Sequence, residues 1–247
     1  MCRRGPLPSV TNMTNTKNAV ITGASRGLGL ALARGLAEDG WSLVIDARDG
    51  VALRAAASAC LPAETHVLPG DITDPAHRAA LARAVEDLGG PDLLVNNAGT
   101  LGASPLPALA DYPIGELRDA FEVNVLAPLA LTQLLLPALR RRGGAVLSIT
   151  SDAAVEAYAG WGGYGAAKAA LEQASNVLAA EENLVRVWWV DPGDLRTQMH
   201  QQAFPGEDIS DRPLPEAVVP AFRKLVTERW PDGRYRAAEL MPAGARP

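Results

Sequence analysis

Thr22-Gly23-Ala24-Ser25-Arg26-Gly27-Leu28-Gly29 stands between a short apolar run and an alanine- and leucine-rich stretch. Glycines let a backbone turn tightly and approach a pyrophosphate, whose charge is favoured at the positive end of the helix that follows. The spacing is Gly-x-x-x-Gly-x-Gly rather than the commoner Gly-x-Gly-x-x-Gly. Glycines also serve ordinary turns. This set carries weight because it follows a strand pattern and opens a helix, the context a dinucleotide-binding turn requires.

Working outward, apolar strand patterns lie at 19–22, 42–46, 66–69, 93–96, 145–150 and 185–190. Helical patterns lie between them at 29–38, 51–59, 75–88, 114–140 and 163–181, and a last one runs from about 215 to 228. Strands that alternate with helices imply βαβ units and a parallel sheet. Near-continuous apolar strands fit a sheet covered on both faces. The expected fold is therefore α/β: a Rossmann-type doubly wound parallel sheet flanked by helices on both faces, in a single domain over 18–247. Residues 1–17 are polar and aperiodic and are expected to form a disordered arm. Met13 is an alternative start, because the first strand begins only a few residues later.

The 247 residues carry a net charge of −5 with both signs interspersed, so no nucleic-acid surface is indicated. Arg140-Arg141-Arg142 reads as a cation-favouring helix end. Two cysteines and three scattered histidines give neither a disulfide framework nor a metal site. Arg3-Arg4 is followed by no apolar export segment. The longest apolar stretch, 125–139, is too short to span a bilayer and contains Pro128 and Pro137. A cytoplasmic chain with no membrane contact is expected.

Cofactor choice should be set at the end of the second strand. An acidic side chain there would bind the ribose 2′-hydroxyl of NAD, but Asp46 falls one place before the tip. Ala47 takes the tip and Arg48 follows. Arg48 and Arg26 together can clamp a 2′-phosphate, so NADP(H) is favoured. The competing reading, Asp46 on the ribose and NAD(H) as cofactor, needs a register shift of one residue.

Tyr164 and Lys168 are four residues apart, and Ser151 lies thirteen upstream at the end of an apolar run. On a helix, i and i+4 share a face, so phenol and ammonium point into one space. An ammonium beside a phenol is expected to lower its pKa and make it a usable acid/base. Alone, this pair reads more readily as a surface contact.

Taken together, the chain resembles the short-chain dehydrogenase/reductase family in its single-domain form. The resemblance covers 18–197 and rests on motifs in family order: 22–29, Asp71, Asn96-Asn97-Ala98-Gly99, Asn124, Ser151, Tyr164, Lys168, Pro192-Gly193 and Thr197. It implies that Tyr164 protonates a carbonyl oxygen, Ser151 stabilises that oxygen, and Lys168 tunes the tyrosine and holds the nicotinamide ribose. Asn124 would hold a water that links Lys168 to solvent. Asp71 and Ile72 would meet the adenine, and Asn97, Ala98 and Gly99 would line the cofactor. Pro192, Gly193 and Thr197 would contact its nicotinamide end or phosphates, and Gly23, Ser25, Arg26, Gly27, Leu28 and Gly29 would cradle the phosphates. Duller roles exist for several: Asn124 as a core polar residue, Asn96 and Gly99 as strand terminators, Ser151 as a cap.

The implied activity is hydride transfer between nicotinamide and a carbonyl or alcohol, with an NADPH-dependent ketone or aldehyde reductase ahead of an NAD-dependent alcohol dehydrogenase. A non-catalytic dinucleotide sensor is the rival from another class; such relatives lose the tyrosine or lysine that this chain keeps. Sugar-nucleotide epimerases and dehydratases need a separate substrate domain, for which there is little room. The C-terminal section departs from the family, with Asp232-Gly233-Arg234-Tyr235-Arg236 where a last strand and a glycine-rich ending usually stand. That puts a tetramer in doubt and leaves a homodimer, through the helix around 125–139 and the one after Tyr164, as the expectation. Trp188-Trp189 have no functional explanation at this stage. Leu101, Asp152, Tyr158, Trp161, Asp194 and Met199 are expected to wall a pocket for a small-molecule substrate, with a mobile loop near 194–215.

Overall fold

The computed structural model describes residues 16–62 and 64–241. Each central strand sends alternate side chains to opposite faces, as strand geometry requires. Ala19, Ile21, Leu43, Ile45, Leu93, Val95, Ala145 and Leu147 pack into one apolar cluster. Their neighbours Val20, Val44, Leu94 and Val146 pack into another on the other side.

The strands are β1 (Asn18–Ile21), β2 (Ser42–Ala47), β3 (His66–Pro69), β4 (Leu93–Asn96), β5 (Ala145–Ile149), β6 (Arg186–Asp191) and β7 (Gly233–Arg236). They form one sheet in the order β3-β2-β1-β4-β5-β6-β7, parallel throughout. The order reverses between β1 and β4, and at such a switch point a crevice opens beyond the carboxyl ends of the strands. The helices are α1 (Gly27–Glu38), α2 (Gly50–Cys60), α3 (Pro75–Asp87), α4 (Ile114–Phe121), α5 (Ala127–Arg142), α6 (Gly162–Glu181), α7 (Gln198–Ala203), α8 (Val219–Glu228) and α9 (Ala237–Leu240). Leu28, Leu32 and Leu36 of α1 and Phe222 and Leu225 of α8 cover the first face. Leu81 and Val85 of α3 and Leu131, Leu135 and Leu139 of α5 cover the second.

The doubly wound parallel sheet expected from the sequence is the fold observed. Three features differ from the expectation. The polar segment at 233–236 is a seventh strand, paired with β6 through Trp188↔Gly233 and Val190↔Tyr235. Bulky Trp188 is fully buried, and its indole donates to the carbonyls of Trp230 (3.0 Å) and Pro231 (3.1 Å), which pins the entry to β7. Pro128 and Pro137 do not break the apolar helix. Pro128 directly follows the π-helical turn at Glu122–Leu126, where the regular hydrogen-bond ladder is already interrupted, and Pro137 is accommodated inside α5. Helix therefore runs on from Ile114 to Arg142, 29 residues, long and apolar enough to cross a bilayer by length and composition, with half of its apolar window buried within the protein. Finally, the loop near 194–215 contains α7, which is capped by the Thr197 hydroxyl accepting from the His200 N–H (3.1 Å). Lys17, assigned to the arm, accepts at its carbonyl from the Ser42 N–H (2.9 Å). Residues 1–15 and Met13 lie outside the described residues.

Candidate active site

The crevice at the switch point is a cavity of about 930 Å³. Its floor is the turn between β1 and α1. Gly23 and Gly27 have φ of +68° and +56°, a region that side chains rarely adopt. A methyl on Gly29 would lie 2.5 Å from the Gly23 carbonyl oxygen, so glycine is what lets α1 start this close to the turn. Asn97 holds the turn from β4: its amide nitrogen donates to the carbonyls of Thr22 (2.8 Å) and Gly23 (3.2 Å). Thr22 answers by accepting from the N–H groups of Asn97 and Ala98, both at 3.0 Å. The N-cap of α1, Arg26, provides no side-chain cap, and the first turn carries no acidic residue. Its backbone N–H groups thus suit a phosphate, and the glycine cradle beside them leaves room for one.

Gly23, Ser25, Arg26, Gly27, Leu28, Gly29, Arg48, Asp71, Ile72, Asn97, Ala98 and Gly99 border this cavity on the first half of the sheet. Ser151, Tyr164, Lys168, Pro192, Gly193 and Thr197 border it on the second. Asn97 does more than line it, since its side chain is spent on the turn. Arg48 is exposed at the rim. Arg26 hydrogen-bonds Gln198 of α7 and lies 3.8 Å from Asp49, partners that an incoming phosphate would displace. Asp71 accepts from the Thr73 N–H (2.9 Å) and hydroxyl (2.8 Å). Partial desolvation pushes its carboxyl up, but those hydrogen bonds, aided by the Arg48 charge, outweigh it and hold the group below its ordinary value.

Asp46 is almost fully buried, and both its oxygens are committed. One accepts from the Gly23 N–H at 2.9 Å, and the other meets His77 Nε2 of α3 at 3.0 Å. Burial pushes its pKa up, against these two hydrogen bonds. The carboxylate braces the glycine turn from behind, and β2 ends one residue later at Ala47.

The second half of the cavity holds the reactive groups. Tyr164 and Lys168 lie on the first turns of α6 and are both buried. Lys168 Nζ donates to the Ile149 carbonyl (2.8 Å) and sits 5.6 Å from the centre of the Tyr164 ring. Burial lowers the Lys168 pKa from 10.5 to about 8, with Glu172 opposing. Ser151 caps the short 3-10 helix at Asp152–Ala154, and its hydroxyl donates to Asp152 (2.9 Å); turned toward the Tyr164 phenol instead, the same O–H would ease that group's ionisation. Asn124 lies in a π-helical turn, Glu122–Leu126, the kind of bulge often found at functional sites. Its side chain closes a two-way bridge with Thr100, accepting from the N–H (3.0 Å) and donating to the carbonyl (2.8 Å). Gly99 keeps the strand end clear: a methyl there would lie 2.9 Å from Asn124 Oδ1 and 3.7 Å from Lys168 Nζ.

One expectation from the sequence is reversed. The Lys168 ammonium does not lower the tyrosine pKa in this chain. Burial raises it, the charges of Asp191 and Asp152 add to the rise, and the Ser151 hydrogen bond only partly offsets them. Lys168 is spent on a carbonyl rather than on the phenol oxygen. Tyr164 is therefore a neutral phenol at neutral pH.

Sequence reasoning passed over four residues beside this site. Gly165, next to Tyr164, lets α6 press on the Ser151 segment: a methyl there would lie 2.5 Å from the Ala153 carbonyl oxygen. Asp191 accepts from the Gly193 N–H (2.9 Å) and shapes the Pro192-Gly193 turn. Glu172 and Arg234 form an ion pair behind Ser151 (2.9 Å). Of these, only Glu172 carried a signal, lying at i+4 from Lys168. The pocket walls expected from the sequence do gather: Leu101, Asp152, Tyr158, Trp161, Asp194 and Met199 line the same cavity, joined by His200 and Phe204. Among the described residues no cluster of histidine, cysteine or carboxylate side chains is placed to hold a metal.

A glycine cradle at the switch point opens directly onto Ser151, Tyr164 and Lys168. The short chain dehydrogenase model matches residues 17–208, and the chain belongs to that family. It is 37% identical over 175 residues to a 3-oxoacyl-(acyl-carrier-protein) reductase of rhamnolipid biosynthesis from Pseudomonas aeruginosa, a match covering 66% of each chain. That is just under two thirds of the relative's length. It is 38% identical over 200 residues to sepiapterin reductase from Meriones unguiculatus, covering 74% of this chain and 76% of that one. A short chain dehydrogenase from Escherichia coli CFT073, solved with NADPH, superposes with a TM-score of 0.83 at 29% identity over 90% of this chain and 96% of that chain. The chain thus carries the family's glycine turn together with Ser151, Tyr164 and Lys168 around one cavity.

Proposed function

We propose that the protein is an NADPH-dependent reductase of ketones or aldehydes. The observation that carries this reading is the cofactor-end chemistry of β2. Asp46, the acid next to the strand tip, is buried against Gly23 and His77, and Asp49 is spent on capping α2, while Arg48 stands exposed at the rim with Arg26 nearby on the same cavity. A ribose 2′-hydroxyl finds no free carboxylate there, and a 2′-phosphate finds guanidinium groups. Neighbours solved with NADP or NADPH point the same way.

Bound in this crevice, the cofactor supplies the hydride. The chain's own groups do the rest. Tyr164, kept neutral by burial, is in the form that can donate a proton to a carbonyl oxygen. Ser151 would hydrogen-bond that oxygen as negative charge develops on it. Lys168 would orient the ribose and pass on the proton that restores the phenol. Asn124, fixed by Thr100, would hold the water that returns a proton through Lys168. Trp161, Tyr158, Leu101, Met199 and Phe204 would keep bulk water from the carbonyl carbon, with Asp152 and Asp194 at the polar end. We further propose one domain over 18–247 and a homodimer through the helices that expose Leu126, Leu134 and Val177. A cytoplasmic setting suits the free, exposed Cys60.

Parallel titrations with NADPH and NADH, read by nicotinamide fluorescence, test the cofactor assignment. Tight NADPH and weak NADH binding is expected. Preferred NADH binding would overturn it and return the role to Asp46.

A further inference from the structure

Behind Ser151 lies a buried charge cluster that the reaction as described leaves unused. We propose that Arg234, on the edge strand β7, is a positioning residue of the active site: it ties the Ser151 backbone, Glu172 and Asp191 into one hydrogen-bonded, ion-paired unit beneath Ser151, Tyr164 and Lys168. This rests on the reductase reading above for its kinetic consequences, but not for its electrostatic ones.

The geometry is specific. Arg234 Nε donates to Glu172 Oε1 at 2.9 Å, and the same oxygen accepts from the Thr150 hydroxyl at 2.7 Å. The Arg234 Nη2 group donates to the carbonyl of Ser151 at 3.2 Å and lies 3.7 Å from Asp191 Oδ2. One planar fork therefore spans the end of β5, α6 and the end of β6, which a lysine's single ammonium cannot reproduce. Thr150 and Ser151 are consecutive, so the fork and Glu172 grip the serine's peptide from both sides. The strand that delivers the fork is itself anchored: Asp232 accepts from the Val187 N–H (2.8 Å), and Trp188 holds the carbonyls before it. This gives Trp188 and the departing C-terminal sequence a shared purpose.

The charges facing Lys168 and Tyr164 are Glu172 from α6, Asp191 from β6 and Asp152 from the turn after β5; Arg234 and Arg236 from β7 act on them through Glu172 and Asp191. Arg236 lies only 4.0 Å from Asp191 and is half exposed, so it is the weaker counter-charge. Arg234 is three-quarters buried. Removing a buried cation favours the protonated form of every neighbouring group, so Lys168 should hold its proton to higher pH. Ser151, no longer gripped, should lose its alignment with Tyr164.

Lysine residues number three, Lys17, Lys168 and Lys224, so selective carbon-13 labelling at Cε lets each be followed by NMR as pH is raised. Arg234→Met should move the Lys168 titration to higher pH. With NADPH and ethyl acetoacetate as the test ketone, it should also lower kcat roughly ten- to a hundredfold, with NADPH affinity near that of the native chain. Arg234→Lys should return the Lys168 midpoint to the native value while kcat stays reduced, because charge is restored and the fork is not. Arg223→Gln, which breaks a surface pair with Asp39, should change neither. An unmoved Lys168 midpoint in Arg234→Met would overturn the proposal, as would a native kcat in Arg234→Lys. Should the methionine variant fail to fold, the lysine variant decides on kcat. Should the native chain reduce no ketone at all, the reductase reading fails, and the NMR titration still decides on Arg234.

Discussion

Replacing Asp46 with alanine separates the two accounts of cofactor choice. In the structure Asp46 is a buried brace, so Asp46→Ala leaves the Gly23 N–H and His77 Nε2 without their protein partner in a largely buried place. Each buried group left unpaired costs about 1–3 kcal/mol, and two cost about 2–6 kcal/mol. For a chain of this size that corresponds to a fall in Tm of roughly 5–20 °C. Cofactor affinity should drop for NADPH and NADH by similar factors, because the Gly23 turn is shared by both. Thermal unfolding by circular dichroism and fluorescence titration with each nucleotide measure the two quantities. The reasoning is refuted if Tm holds while NADH binding alone is lost, which is the signature of a carboxylate on the ribose.

Arg48→Ala should weaken NADPH by about ten- to a hundredfold, the loss of one charge-assisted contact of roughly 1.5–3 kcal/mol, and leave NADH nearly unchanged; equal weakening in parallel titrations would argue against a phosphate clamp. Gly165→Ala should cost about 1–3 kcal/mol of stability by pushing α6 off the Ala153 carbonyl, and kcat should fall further than KM changes; unaltered kinetics would show that Gly165 does not set the Ser151–Tyr164 distance. Lys168 should leave a pH signature in stability. Its folded pKa of about 8 is below the ordinary lysine value of 10.5, so the desolvation penalty is fully present below pH 8 and fades as pH rises towards 10.5. The stability of Lys168→Met relative to the native chain should therefore be greatest below pH 8 and decline through that window; a difference independent of pH in urea unfolding would show that the ammonium is well solvated.

The sheet was legible because its strands are apolar on both faces and its breaks fall at glycine, proline and capping residues. Asp49 and Asp74, for instance, cap α2 and α3 just where the helical patterns begin. The glycine turn, the Tyr164–Lys168 spacing and Ser151 were legible for the same reason: their geometry is local. What was missed depends on distant partners. Gly233-Arg234-Tyr235-Arg236 has no strand pattern of its own, and the arginine is tolerated there only because Glu172 and Asp191 wait for it across the sheet. The sequence leaves Asp46 open as the competing ribose ligand, because His77, which engages it, lies 31 positions away. The direction of the Tyr164 shift followed from a pair rule that omits burial, and burial is the largest influence on that phenol. α7 is too short for periodicity to announce it within a polar loop.

The central claim is that Tyr164 hands over the proton. Tyr164→Phe keeps the ring, its edge contact with Trp161 at 5.7 Å and the packing around it, and removes only the hydroxyl. The decisive measurement is single-turnover reduction of ethyl acetoacetate by the variant, alongside its NADPH affinity. The account predicts native-like NADPH binding with a rate lower by about 10²–10⁴-fold, the usual worth of a positioned proton donor. A rate within a few-fold of the native chain would contradict it.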